Sequence, residues 1–312
     1  MASPVFPPPE EIPSLLPRPG SIVWTHAGDA RLLATAGYAL LLQVAHPTVG
    51  AGVVEHSNFK EDPWGRLLRT LDYTYAMVYG GPDLAPEVGR RVRQMHKQIT
   101  GVTPDGQRYH ALEPEAYAWV HATLAEAIVS GHRMFGRRMG SPEVERFWAA
   151  WRANGRLVGV RARDLPPRWS AFRTYFEHMV DARLQDNEAV HDVLGALGQP
   201  PAPPGWRLGE HAWRALSAPA VRVVSLATVG LLPARLRERF GAPWTARHEL
   251  ELRATAALSR TATPILPRAL RNVGPGYLRW RAAAIGRGGF ASPAVRGSRP
   301  AEARARAGAG AR

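Results

Sequence analysis

The chain of 312 residues contains no cysteine, which removes disulfides, thiolate metal sites and cysteine nucleophiles from consideration. Any metal ligand or nucleophile must then come from His, Asp, Glu, Ser or Tyr. Lysine is nearly missing too: of 40 basic residues only Lys60 and Lys97 are lysine, so almost all positive charge sits on arginine forks. No stretch reads as a secretory leader, because "MASPVFPPPEEIPSLLPRPG" is proline-rich and acidic where a basic region and an apolar run are needed. Residues 1–20 are expected to form an irregular arm, and the protein to be cytoplasmic. A continuous span of about 20 apolar residues is also lacking. The most membrane-like segment, residues 30–54, is interrupted by Arg31, Gln43, His46 and Pro47, so it reads as a helix buried in a core.

The net charge is +14, but the basic residues are scattered along the chain without the aromatic interleaving of a nucleic-acid surface, and no nucleic-acid partner is expected. From Gly286 onward six arginines face Glu302 alone, a net of +5. This segment, 286–312, reads as a disordered basic tail, with loose contact to anionic membrane surfaces as the one role its charge suggests.

Helical periodicity recurs along the chain and strand alternation does not, so the expected fold is all-α, one domain over residues 21–285. Residues 29–46 are apolar nearly all round, as in a helix enclosed by others, and Pro47 sets the helix end at His46. Asp62-Pro63 supplies an N-cap and a first-turn proline for a helix ending at Gly80-Gly81. Further helices are expected at about 86–101, from Pro114 onward, and at about 141–154, 169–183, 186–197, 217–240 and 243–261.

Polar residues interrupt this apolar pattern at defined places. Arg66, Arg69, Thr70, Tyr73 and Met77 recur at helical spacing and share one face. That stripe is either solvated or a clamp for a carboxylate or phosphate, which guanidinium forks match. His96 falls in the apolar stripe Val88, Val92, Met95, Ile99, with no His-x-x-x-His companion, so zinc is poorly supported. Haem asks less: one imidazole on an apolar wall with basic residues for its propionates. A hydrogen-bonded core histidine is the other reading.

The segments "LLLQVAHPTVGAGVVEHSNF", "DPWGRLLRT", "MHKQITG", "YHALEPEAYAWVHATL", "DLPPRWSAFRTYFEHMV" and "LLPARLRERFGAPW", in that order, resemble the bacterial proteins grouped with the MpaB-type oxygenases and latex clearing protein, over about residues 21–270. The resemblance implies an all-helical fold with a globin-like core around haem b and a reaction with dioxygen, and the Leu, Val, Ala and Met that the sequence offers a pocket point to an apolar, unsaturated substrate. The rubber enzymes cleave polyisoprene and the fungal relatives a prenyl chain. It places the iron ligand at His96 and the family's Arg-x-x-basic-Thr motif at Arg66, Arg69 and Thr70. Arg69 stands where the rubber enzyme has a lysine able to approach the iron. Gln43, His46, Glu55, His56 and Ser57 could line the distal side, with Glu55 as acid/base and His56 as hydrogen-bond donor. Two other functions fit the same residues: a non-catalytic protein binding haem or an apolar ligand, and a haem-free metal hydrolase using His46, His56, His96 and His121 with Glu55 or Asp72.

Overall fold

The structure is a computed structural model that describes residues 6–284; the basic tail over 286–312 lies outside the described residues. The chain folds as the all-α protein its periodicity announces. In order come α1 (Ile12–Leu15), α2 (Ile22–Ala27), α3 (Ala36–Val44), α4 (Pro47–His56), α5 (Pro63–Tyr79) and α6 (Gly81–His96). A two-stranded antiparallel hairpin follows, β1 (Thr100–Val102) and β2 (Arg108–His110), with Gly101 opposite Tyr109. Then come α7 (Pro114–Phe135), α8 (Ser141–Gly155), α9 (Trp169–His178), α10 (Glu188–Gly198), α11 (Gly209–Leu231), α12 (Ala234–Arg239), α13 (Ala246–Ala262), α14 (Arg268–Arg271) and α15 (Gly274–Ala284).

Residues 29–46 do not form one helix. Ala30–Thr35 is a 3-10 stretch, α3 ends at Val44, and the axis then bends by 104° into α4. The bend centres on His46, the extended N-cap residue before Pro47, whose carbonyl accepts from the Gly50 amide at 2.8 Å. Asn187 Nδ2 and the Gln185 amide close the orphan carbonyls of Val44 and Ala45 at 2.9 and 2.8 Å, so the corner leaves no carbonyl of that turn bare.

Helix α5 starts as the Asp62-Pro63 pair dictates, with the Asp62 carboxylate accepting the Gly65 amide at 2.8 Å. The next helix begins five residues before the expected Pro86, because Gly81 takes φ +65° and Pro82 sits in the first turn. It also stops at His96, short of Gly101. The expected helix over 217–240 is two helices, and its first half begins at Gly209. The hairpin went unannounced because each strand has three residues, too few to show alternation. Its turn, Pro104-Asp105-Gly106 with Gly106 at φ +86°, was the available signal.

The arm is not wholly irregular: α1 forms a turn whose Leu15 is buried against Ala76, Val88 and Leu157, and Glu11 pairs with Arg156. Helix α7 forms the centre, with Ala118, Trp119, Ala122 and Ala125 fully buried, and Trp119 Nε1 donates to the Leu42 carbonyl at 2.7 Å. At the other end of the chain, α15 is locked onto α5 by Asp72. Arg281 approaches it with Nε to Oδ1 at 2.8 Å and a terminal nitrogen to Oδ2 at 2.6 Å, and Tyr277 donates to Oδ1 at 2.7 Å. Both charged side chains are largely buried. Breaking such a pair strands the remaining charge, at a cost of about 3–5 kcal/mol. Asp72→Ala is therefore expected to lower unfolding free energy in urea by about 3 kcal/mol or more, and to speed amide exchange in α15 before the rest. A loss under about 1 kcal/mol would mean that α15 is held by its apolar contacts alone.

Candidate functional site

His96 is the last residue of α6, with Val92 one turn before it on the same face. Its Nδ1 lies 2.7 Å from the Val92 carbonyl, and a carbonyl can only accept, so Nδ1 carries the proton. Nε2 has no hydrogen-bond partner among the described residues. Burial pushes the imidazole pKa down against the pull of the Val92 carbonyl, and the Arg66 guanidinium and His110 push it further the same way. The ring is thus a neutral imidazole with its lone pair on Nε2. Metal-ligating histidines take this form, one nitrogen tied to a carbonyl and the other free. The Tyr117 ring meets it edge-on, centroids 5.5 Å apart at 77°, and the Tyr117 hydroxyl is turned away to the Val158 carbonyl at 2.8 Å.

Arg66 is the second part of the site. Among the described residues no carboxylate and no hydrogen-bond acceptor faces its guanidinium, yet burial, and then the neighbouring Arg69, lower its pKa. The side chain is half-buried, and a guanidinium with no protein counterion is suited to pair with an anionic group placed there. The fit to haem rests on these two side chains: an imidazole with a free nitrogen and, coupled to it by charge, an uncompensated guanidinium suited to a propionate.

The other expected residues have separate surroundings. Arg69 is occupied, donating to Asp62 Oδ2 at 3.1 Å and Asn58 Oδ1 at 2.9 Å, which braces the start of α5. Thr70 is exposed and its hydroxyl donates to the Arg66 carbonyl at 2.9 Å, so the helix face runs from solvent at Thr70 to the core at Met77. Glu55 and His56, at the end of α4, are drawn together onto the hairpin. Tyr109 donates to Glu55 Oε2 at 2.7 Å, His56 Nε2 lies 3.8 Å from that oxygen and donates to the Thr100 carbonyl at 3.1 Å. Gly101 permits this approach, since a Cβ there would come 2.2 Å from Glu55 Oε2.

Gln43 points inward to Thr123 Oγ1 at 3.1 Å, and His46 is fully buried with Nε2 3.2 Å from Glu115, whose other partner is Arg183. Tyr117 and Tyr109 were not singled out from sequence. For Tyr109 the turn motif was the clue, and for Tyr117 the clue was its place one helical turn before His121. The histidines of the hydrolase reading are dispersed: His121 Nε2 is tied to the Trp151 carbonyl at 2.8 Å and Asp72 to Arg281. Among the described residues no three His, Asp or Glu side chains gather as a metal cluster.

Compared with known protein families, residues 24–261 match the model described as "ER-bound oxygenase mpaB/B'/Rubber oxygenase, catalytic domain". The chain belongs to this family. The match spans the corner at His46, helices α5 and α6 and the hairpin, so every residue of the candidate site lies inside an oxygenase catalytic domain. No curated protein and no solved structure matches the chain.

Burial lowers the pKa of five histidines, His26, His46, His96, His121 and His132, the last two to about 4. For each, the unfolded chain binds the proton more tightly than the folded one. The stability they confer is therefore present above the unfolded value of 6.5 and is lost as pH falls from there towards about 4. Glu126, raised by burial, acts in the opposite sense. Thermal melts should show a midpoint lower by roughly 5 °C or more at about pH 5 than at about pH 7.5; equal midpoints would contradict the neutral, buried histidines.

Proposed function

We propose that the protein is a haem b-dependent oxygenase acting with dioxygen on an apolar, unsaturated substrate of isoprenoid or other lipid type. The observation that carries this reading is His96, a neutral imidazole with Nδ1 tied to Val92 and Nε2 free, next to the uncompensated Arg66. When bound, haem supplies a redox-active iron able to activate dioxygen. His96 would hold it through Nε2, and Arg66 would donate to a propionate, each such charge-assisted bond contributing about 1.5–3 kcal/mol. Arg69 keeps α5 anchored through Asn58 and Asp62, and Thr70 tightens the turn that carries Arg66.

Proton movement falls to Glu55 at Oε2, the oxygen that the Tyr109 hydroxyl donates to and that His56 approaches. Burial and the adjacent Glu55 raise the Tyr109 pKa, so its hydroxyl stays protonated and remains a donor. Val88 and Val92, on the α6 face that leads to His96, pack into an apolar cluster, and such surroundings offer a hydrophilic substrate little to orient it.

The test is to supply haem to the purified protein, reduce it, and follow oxygen uptake and carbonyl products with a panel of isoprenoids and unsaturated lipids. Wild type should consume oxygen with at least one alkene. Arg66→Ala should weaken haem binding about tenfold or more without a comparable loss of thermal stability. A protein that binds haem but consumes no oxygen with any alkene would be the non-catalytic haem binder instead. One with no affinity for haem would defeat the reading altogether.

A further inference from the structure

On α13, Leu250, Ala254, Ala257, Leu258 and Thr261 stand at i, i+4, i+7, i+8 and i+11, and all five are exposed. A helix packed on a globular core normally turns such a stripe inward. Here the inward side is a different set, with Leu252 and Ala256 buried at 1% exposure each. The outward leucines are 69% and 68% exposed, and the chain continues past the helix into Ile265 at 84%, Leu266 at 42% and Leu270 at 57%.

The neighbouring α11 has the same character. Its 23 residues include a window apolar enough to cross a membrane, yet only 22% of that window is buried, and its Leu216 is 69% exposed. The polar edge of the surface is net basic, with Arg247, Arg253, Arg260, Arg268 and Arg271 against Glu249 and Glu251. Arg253 and Arg260 border the leucine stripe of α13, and Arg268 lies between Leu266 and Leu270. Leucines projecting outward with arginines at the border form the pattern of a helix lying in a bilayer interface, apolar face down and cations at headgroup level.

We propose that the outer face of α13, continued through Ile265 and Leu270, is a docking surface for a bilayer of anionic lipids. Charge decides between the occupants. The net charge of +14 sets a second copy of this chain against its like, and the chain's own C-terminal segment, +5 from Gly286 onward, is repelled from the same arginines. Arg253 is paired with Glu249 and Arg260 donates to the Met134 carbonyl, so an anionic bilayer would meet the net positive balance of this edge while covering its exposed leucines. The sequence suggests the basic tail as a membrane contact, and a helix face of the folded domain stands beside it as a second. This holds whatever group sits at His96.

The full chain is mixed with vesicles of phosphatidylglycerol or of phosphatidylcholine, floated on a gradient, and assayed for bound protein by tryptophan fluorescence. Two variants are run beside it: Leu250→Glu with Leu258→Glu, and the six tail arginines changed to glutamine. Leu250 and Leu258 are exposed, and circular dichroism checks the folding of both variants. Wild type should float with phosphatidylglycerol and not with phosphatidylcholine. The double glutamate variant should lose about tenfold or more in partitioning, while the tail variant keeps most of it. Equal flotation of the glutamate variant, loss in the tail variant alone, or a wild-type dimer that the glutamates dissociate without any vesicle binding, would each overturn the proposal.

Discussion

The hydrogen bond from His96 Nδ1 to the Val92 carbonyl fixes which ring nitrogen is protonated, and the chemistry assigned to the protein depends on it. The bond exists because His96 is the last helical residue of α6, where the carbonyl four residues back still lies within 2.7 Å of its ring. It settles the tautomer, and the buried setting, reinforced by the Arg66 charge, keeps the ring neutral. A protonated His96 would have no lone pair to offer. The position of α6 is fixed in turn by the left-handed Gly81 turn from α5 and by Gly89, where a Cβ would come 1.9 Å from the Leu157 carbonyl. The Gly81 turn thus sets α6 beside α5, while Gly89 seats α6 closely on the backbone after α8.

Much of the fold was legible because its helix starts are written with strong local signals. Asp62-Pro63 and Pro114 each announced a first turn, and the structure begins helices at Pro63 and Pro114. Residues 29–46 were harder. A segment buried on all sides has no polar face to mark its period, so nothing local distinguishes a 3-10 stretch plus a short helix from one continuous helix. What breaks it is the corner at His46, held by Asn187 and Gln185 from over a hundred residues away.

The site shows the same division. Arg66 and Arg69 lie three residues apart on one helix and look equivalent in sequence. Asn58 and Asp62 engage Arg69, and Arg66 keeps its charge uncompensated. Spacing identified the face but could not say which arginine was spent on structure. Glu55 and His56 likewise could be named as polar residues at a helix end, whereas their union with Tyr109 required the hairpin and the bare Gly101. Asp72 was a candidate metal ligand on type alone, and the partner that claims it, Arg281, is 209 residues distant.

The central claim is that His96, with Nδ1 tied to Val92, would hold a haem iron through its free Nε2. It is tested most directly by His96→Gly, which removes the imidazole and leaves space for a free one. With haem supplied, the account predicts that the Soret spectrum of this variant loses the features of single-histidine ligation and regains them when imidazole is added to solution. A His96→Gly spectrum identical to wild type without imidazole would contradict it, since the ligand would then have to be another residue.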